Sequence, residues 1–342
     1  MEKKRSFDSL TGLKGIFIFI IVFFHTLPST PLIDRIPLTS FVGTYGGTLG
    51  NYMFFTLSGF LISFGYRERI CDGKVSFGDF ICRRLYKLYP LYLLSNAAML
   101  VADLIQYGLS AINLKNIILT LLLQNGGGLE TTHPYNGPTW FVSALFVCYM
   151  AYYLIGYLSK NRTQYLCLIA FGIIWGYSIA VGGWTPTLNF ARNGDSFLTF
   201  FTGCAIAELY PCMPRLHDKI IQFFAFLVLI ASAVLMLKYG VEIIGGNVSV
   251  AFAFVICPLI IYLTLENNLI SRILKSKAAL WLGRISVSVY FWHFVIYVFF
   301  RYFWNLYSNG LPIGNVQYLI YLGLLMVLSC LSHRFLEQPH HS

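Results

Sequence analysis

Residues 11–25 read TGLKGIFIFIIVFFH, an apolar run that opens beside Lys14 and ends on His25. Eleven positions along an α-helix make about three turns, so the two side chains share one face, roughly 16 Å apart along the axis. A run this apolar predicts a membrane-crossing helix, with Lys14 near one water interface and His25 inside. An ionisable side chain at that depth is costly, turns towards a partner or a cavity, and marks a functional position. A neutral histidine bonded to a neighbouring helix is the plainer reading, and the stretch alone leaves both standing.

The rest of the chain has the same character. Its 342 residues are 57% hydrophobic and 11% charged, with a mean hydropathy of +0.67. Soluble domains carry about 25% charged residues, so this composition belongs to a membrane protein. Further apolar segments at 89–101, 140–158, 165–181, 220–237, 248–265, 285–300 and 316–331 predict an all-α, polytopic bundle. No repeat or low-complexity tract divides them, so residues 1–342 read as one membrane-embedded domain with no fused extracytoplasmic domain. The net charge of +10 sits in short loops between spans, which orients a membrane protein and gives no reason to expect nucleic acid. MEKKR precedes the first apolar run as in a signal peptide, but no small-residue cleavage site follows and Lys14 interrupts the pattern. We read an uncleaved first span. The eight cysteines are scattered without CxxC pairs, so they predict packing residues and no metal.

Eleven apolar runs can be counted, but 117–123 is too short to span comfortably. Leaving it at the outer face gives about ten spans with both termini cytosolic, and then 19 of the 24 Lys and Arg residues fall inside. That agrees with the positive-inside rule, which eleven spans would violate in three loops. Long outer segments then lie at 28–43, 105–138 and 182–196. The middle one, with QNGGGLETTHPYNGP, holds Glu130 and His133. It reads either as a binding mouth or as an ordinary Gly-rich connector.

Four local patterns carry chemistry. In FICRRLYKLYPLY, residues 80–92, a helix puts Arg83 and Lys87 on one face at i, i+4, with Arg84 and Lys87 at i, i+3. Three cations where the chain re-enters the membrane suit a phosphate-bearing ligand, or a topology anchor on lipid headgroups. In 285–300, Ser286, Tyr290, His293 and Tyr297 form one polar stripe that should face the bundle interior. Two intramembrane histidines, His25 and His293, suggest proton handling, with interhelical hydrogen bonding as the alternative. Asn51 and Ser58 share a face in NYMFFTLSGF, where Gly59 permits close helix approach, and Trp140 stands one turn before Ser143. No HExxH, GxSxG or P-loop motif is present.

Together these stretches resemble the acyltransferase-3 family of integral membrane O-acyltransferases that modify cell-surface glycans. SLTGLKGIFIFIIVFFH is similar to the family's Asp-x-x-Arg-(ten residues)-His opening, and NYMFFTLSGFLI to its FFxxSGF segment. FICRRLYKLYPLY, GPTWFVSALFVCY, RISVSVYFWHF and RFLEQP resemble its basic, Trp, Tyr-x-x-His and Glu-x-Pro segments, in order along nearly the whole chain. Thr11 and Lys14 depart from the family's Asp and Arg, and lysine cannot make a planar bidentate contact. The resemblance implies a bacterial cytoplasmic-membrane enzyme that takes an acyl group, acetyl by expectation, from cytosolic acetyl-CoA or another acyl-CoA. The acceptor would be a hydroxyl of a polysaccharide or a lipid-linked saccharide. It further implies Lys14, Arg83, Arg84 and Lys87 at the CoA phosphates. His25 would be the general base, with Tyr290 and His293 positioning it or stabilising the oxyanion, and Ser58, Glu130, His133 and Trp140 near the acceptor. The rival class is a transporter or exporter of a glycan or glycolipid without bond chemistry. No pair of Gly/Pro-broken spans in corresponding halves points to alternating access.

Overall fold

Helix α1 spans Asp8–Thr26. Asp8 in its first turn complements the helix dipole, and a 3₁₀ turn over Leu27–Ser29, containing Pro28, carries the chain out of it. The computed structural model describes residues 7–30, 37–124, 134–182, 191–211, 219–239 and 248–337, and among these there is no strand.

The remaining long helices follow the apolar segments. They are α2 (Pro37–Cys71), α3 (Phe77–Tyr107), the short α4 (Leu114–Leu121), α5 (Trp140–Leu158), α6 (Arg162–Gly182), α7 (Ala191–Leu209) and α8 (Lys219–Tyr239). After α9 (Val248–Ala251) a π-helical turn over Phe252–Ile256 leads into α10 (Cys257–Leu265). Then come α11 (Leu269–Leu274), α12 (Lys277–Ser308), α13 (Asn315–Ser332) and a second π-helical turn over His333–Glu337. Several starts are capped: Ser76 accepts from the Asp79 N–H before α3, Asn113 from Asn116 before α4, and Ser276 from Ala279 before α12.

Seven helical segments are long and apolar enough to cross a membrane: α1, 88–111 within α3 and its extension, α5, α6, α8, α12 and α13 with its extension. Three fall short of that standard for visible reasons. Gly and polar residues at 43–51 dilute α2, ARNGD opens α7, and the apolar helix Ser249–Leu265 is short and broken by its π-helical turn. At 8 residues, α4 rises only about 12 Å and cannot cross, in keeping with the expected non-spanning segment.

Two seams of direct backbone contact hold the centre. Where α1 meets α11 and α12, a Cβ built on Gly12 would lie 2.0 Å from Leu274 O, and one on Gly283 would lie 1.9 Å from Thr11 O. Where α2 meets α7, a Cβ on Gly59 would lie 1.9 Å from Phe200 O, and one on Gly203 would lie 2.0 Å from Thr56 O. Only glycine lets membrane helices approach this closely, where van der Waals packing replaces the hydrophobic drive of water. A buried ion pair adds to the second seam: Glu208, 6% exposed, accepts from Arg67 at 3.2 Å and lies 3.7 Å from Arg162. α8 turns Phe223, Phe224 and Phe226 outward, as a helix against lipid does.

Candidate functional site

The first seam explains how the two histidines meet. A Cβ on Gly15 of α1 would lie 2.8 Å from the nitrogen of Gly283 on α12, so these residues face each other. His25 follows Gly15 by ten residues and His293 follows Gly283 by ten. On helices running the same way, equal spacing from a common crossing returns both side chains to the same level, about 15 Å further on. His293 Nε2 lies 3.2 Å from His25 Nδ1, with ring centroids 5.0 Å apart.

The neighbouring carbonyls assign the protons. His293 Nδ1 is 2.6 Å from Tyr290 O, and a carbonyl only accepts, so Nδ1 carries the hydrogen and Nε2 the lone pair. His25 Nδ1 must then be the donor, shared between His293 Nε2 and Ile21 O at 3.0 Å. That leaves His25 Nε2 as the unprotonated, basic nitrogen. His293 is fully buried, whereas His25 is half-buried and sits one residue from the end of α1. It is therefore nearer its helix terminus than an apolar run ending on histidine suggests, yet it faces the middle of α12.

A cavity of about 210 Å³ runs along α1 beneath this pair. Lys14, Ile18 and Ile21 supply one wall, so it extends about 10 Å along the helix and stops one turn short of His25. Asn51 and Ser58 line it from α2, Tyr149 from α5, and Ser286 and Tyr290 from α12. The cavity is below the 300–1,000 Å³ of common small-molecule sites and suits a slender chain better than a nucleotide. At its wall the Tyr290 hydroxyl donates to Pro138 O at 2.5 Å.

A separate open basin of about 590 Å³ is lined by Tyr66, Cys82, Arg83, Arg84 and Tyr86. Arg83 and Arg84 lie in the first turns of α3, before its apolar part at 88–111. The Arg84 guanidinium stacks 4.4 Å above the Tyr66 ring, Arg69 stands 5.3 Å from the same ring, and Arg84 Nε has no hydrogen-bond partner among the described residues. Arg84 lies close enough to the narrow cavity for its charge to act on Lys14 and Tyr149, both of which line it. Basin and cavity are thus neighbours, with Arg84 on the basin side.

A family model described as an acyltransferase domain matches residues 7–334. The chain belongs to this acyltransferase family. It is 24% identical over 368 residues to O-acetyltransferase OatA of Staphylococcus aureus strain NCTC 8325, covering 99% of this chain and 58% of that protein. It is also 31% identical over 93 residues to protein 2 in the picA locus of Rhizobium radiobacter, covering 27% of this chain and 44% of the relative. The chain spans 58% of the length of the O-acetyltransferase relatives it matches. No solved structure matches it.

Within this family member, the residues singled out from sequence divide into groups. His25 and His293 meet, Lys14, Ser58 and Tyr290 line one cavity, and Arg83 and Arg84 share the basin. Trp140 does not line the cavity; it packs against Phe55 and Phe141, and Phe141 is the wall residue. Glu130 and His133 lie outside the described residues, as does the side chain of Lys87. Sequence reasoning missed Tyr66, the aromatic partner of Arg84. It also missed Asn136 and Tyr321, which bond to the α12 turn carrying His293. The equal Gly-to-His spacing in 15–25 and 283–293 was the available signal for the pairing.

Proposed function

We propose that this acyltransferase moves an acyl group, acetyl by expectation, from cytosolic acyl-CoA to a hydroxyl of a cell-surface glycan across the bacterial cytoplasmic membrane. The observation that carries the reading is the unprotonated His25 Nε2 beyond one end of a cavity whose other end is lined by Lys14, within reach of the charge of Arg84 in the neighbouring basin. With α2, α7 and the broken helix 249–265 counted as spans, the bundle has ten, and the positive-inside rule puts both termini in the cytosol. The basin then faces the cytosol.

In this reading the CoA phosphates sit at Arg83 and Arg84, with Lys87 and Lys14 beside them, and the pantetheine arm enters the cavity. His25 Nε2 takes the proton from the acceptor hydroxyl as its oxygen attacks the thioester carbonyl. The tetrahedral intermediate collapses, the carbon–sulfur bond breaks, and the proton on His25 Nε2 passes to the departing CoA thiolate. No metal enters this scheme. His293 holds the His25 ring, and Tyr290 is the hydroxyl at the cavity wall available to the oxyanion. Glu130, His133 and Trp140 are the proposed acceptor-side residues, while Ser58, expected near the acceptor from sequence, lines the cavity the donor arm would enter.

Purified protein in vesicles, given labelled acetyl-CoA on the cytosolic side and candidate glycans on the other, tests this directly. Label covalently on sugar is the expected result. Movement of unlabelled, intact glycan would instead identify a carrier and end the enzymatic reading. Arg84→Ala should weaken acetyl-CoA binding about ten- to a hundredfold, the range for losing charge-assisted phosphate contacts. Cys82 lines the same basin, so bound CoA should slow its alkylation by maleimide in the parent protein. Unaltered CoA affinity in Arg84→Ala, together with unprotected Cys82, would assign these cations to lipid headgroups.

A further inference from the structure

One turn of α12, residues 290–293, is gripped from three sides. The Tyr290 hydroxyl donates to Pro138 O at 2.5 Å, Asn136 Nδ2 to Phe291 O at 3.0 Å, and the Tyr321 hydroxyl to His293 O at 3.0 Å. A helix carbonyl has two lone pairs, so it can take such a bond beside its main-chain partner. Asn136 and Tyr321 are both fully buried.

Asn136 is itself fixed by its backbone. Its N–H donates to Asn96 Oδ1 at 2.9 Å, and its carbonyl accepts from Thr139 Oγ1 at 2.7 Å. Its Oδ1, by contrast, is buried without a partner among the described residues. Buried acceptors are normally paired, and this amide leaves its oxygen unsatisfied while its nitrogen serves the helix. Because Phe291 O can only accept, the amide orientation follows.

We propose that Asn136 and Tyr321 are positioning residues for the histidine pair, clamping the 290–293 turn so that His293 Nε2 accepts from His25 Nδ1–H. The inference rests on His25 acting as the base. His25 shares its Nδ1 hydrogen with Ile21 O, a carbonyl of its own helix. The bond to His293 is what ties the ring to a second helix, so moving that turn lets the ring swing and carries Nε2 off the acceptor oxygen. A displacement of about 1 Å costs on the order of a hundredfold in rate.

The test compares kcat and the KM for acetyl-CoA across three variants of the full-length protein. Asn136→Leu keeps the approximate size but removes the donor to Phe291 O, and Tyr321→Phe removes only the hydroxyl. Ser332→Ala removes the 3.0 Å acceptor of Trp292 Nε1, a buried bond one residue from His293 that holds neither ring. The first two should lower kcat about ten- to a hundredfold with KM within about twofold. In protein labelled with ¹⁵N-histidine, they should also replace the sharp protonated and unprotonated ring-nitrogen signals of the pair with averaged ones. Ser332→Ala should lower thermal stability and retain parental kcat and spectra. Parental kcat in folded Asn136→Leu or Tyr321→Phe would overturn the proposal, as would an equal kcat loss in Ser332→Ala. Full activity in His25→Ala would instead remove the base assignment beneath it, so the two failures are distinguishable.

Discussion

His25→Ala is expected to lower the rate of acyl transfer by about 10²–10⁴-fold, the range assigned to a positioned general base, while insertion, folding and acetyl-CoA affinity should stay as in the parent. The separation of these effects follows from the geometry. His25 lies one turn beyond the cavity, whose lining includes Lys14 and Ile21 but not His25, so removing the imidazole leaves the walls of the proposed donor site in place. The lost packing is modest, because His25 is half-buried and its ring meets Phe24 and Phe294 at their edges. Steady-state rates with labelled acetyl-CoA, read beside equilibrium CoA binding, check both halves. Parental turnover would remove His25 from the chemistry, and loss of CoA binding would make it a structural residue.

The second large effect is expected at a residue that touches no substrate. In Gly283→Ala the new Cβ falls 1.9 Å from Thr11 O and 2.6 Å from Thr11 C, both backbone atoms that no rotamer change can move. α1 and α12 must separate, and overpacking of this kind costs about 1–3 kcal/mol. Because both histidines hang ten residues beyond this crossing, a parting of about 1 Å also reaches them, with a rate loss on the order of a hundredfold. Gly323→Ala on α13 is the control. Nothing lies within 4 Å of its Cβ, so its stability and rate should match the parent. Detergent-resolved thermal unfolding and turnover of the two variants provide the comparison. Parental values in Gly283→Ala would mean that the crossing does not set the histidine geometry.

Much of the helical scaffold was legible because bilayer thickness and backbone satisfaction leave an apolar run few options. The short 117–123 run behaves as its length requires, as α4. α2 was harder to judge by hydropathy, since TYGGTLGN sits inside a 35-residue helix whose polar face turns inward to the cavity through Asn51. At the site, the polar stripe on α12 and the face shared by Asn51 and Ser58 could be read by counting turns. Bonds between distant segments could not. Asn136 reaches Phe291 across 155 positions and Tyr321 reaches His293 across 28, and nothing local in either segment names its partner. Arg84 and Arg83 are likewise adjacent and chemically alike in sequence. Only the fold sets one guanidinium over the Tyr66 ring.

The two glycine seams also bear on how anything gets in. With α1 joined to α12 and α2 joined to α7 through backbone contact, and α1 packed on α2, sliding these four helices past one another would cost those contacts. On the proposed reading, entry would then be end-on, with a thin thioester tail threaded from one compartment and a sugar offered from the other, and acyl groups too broad for the cavity of about 210 Å³ would be refused at the door.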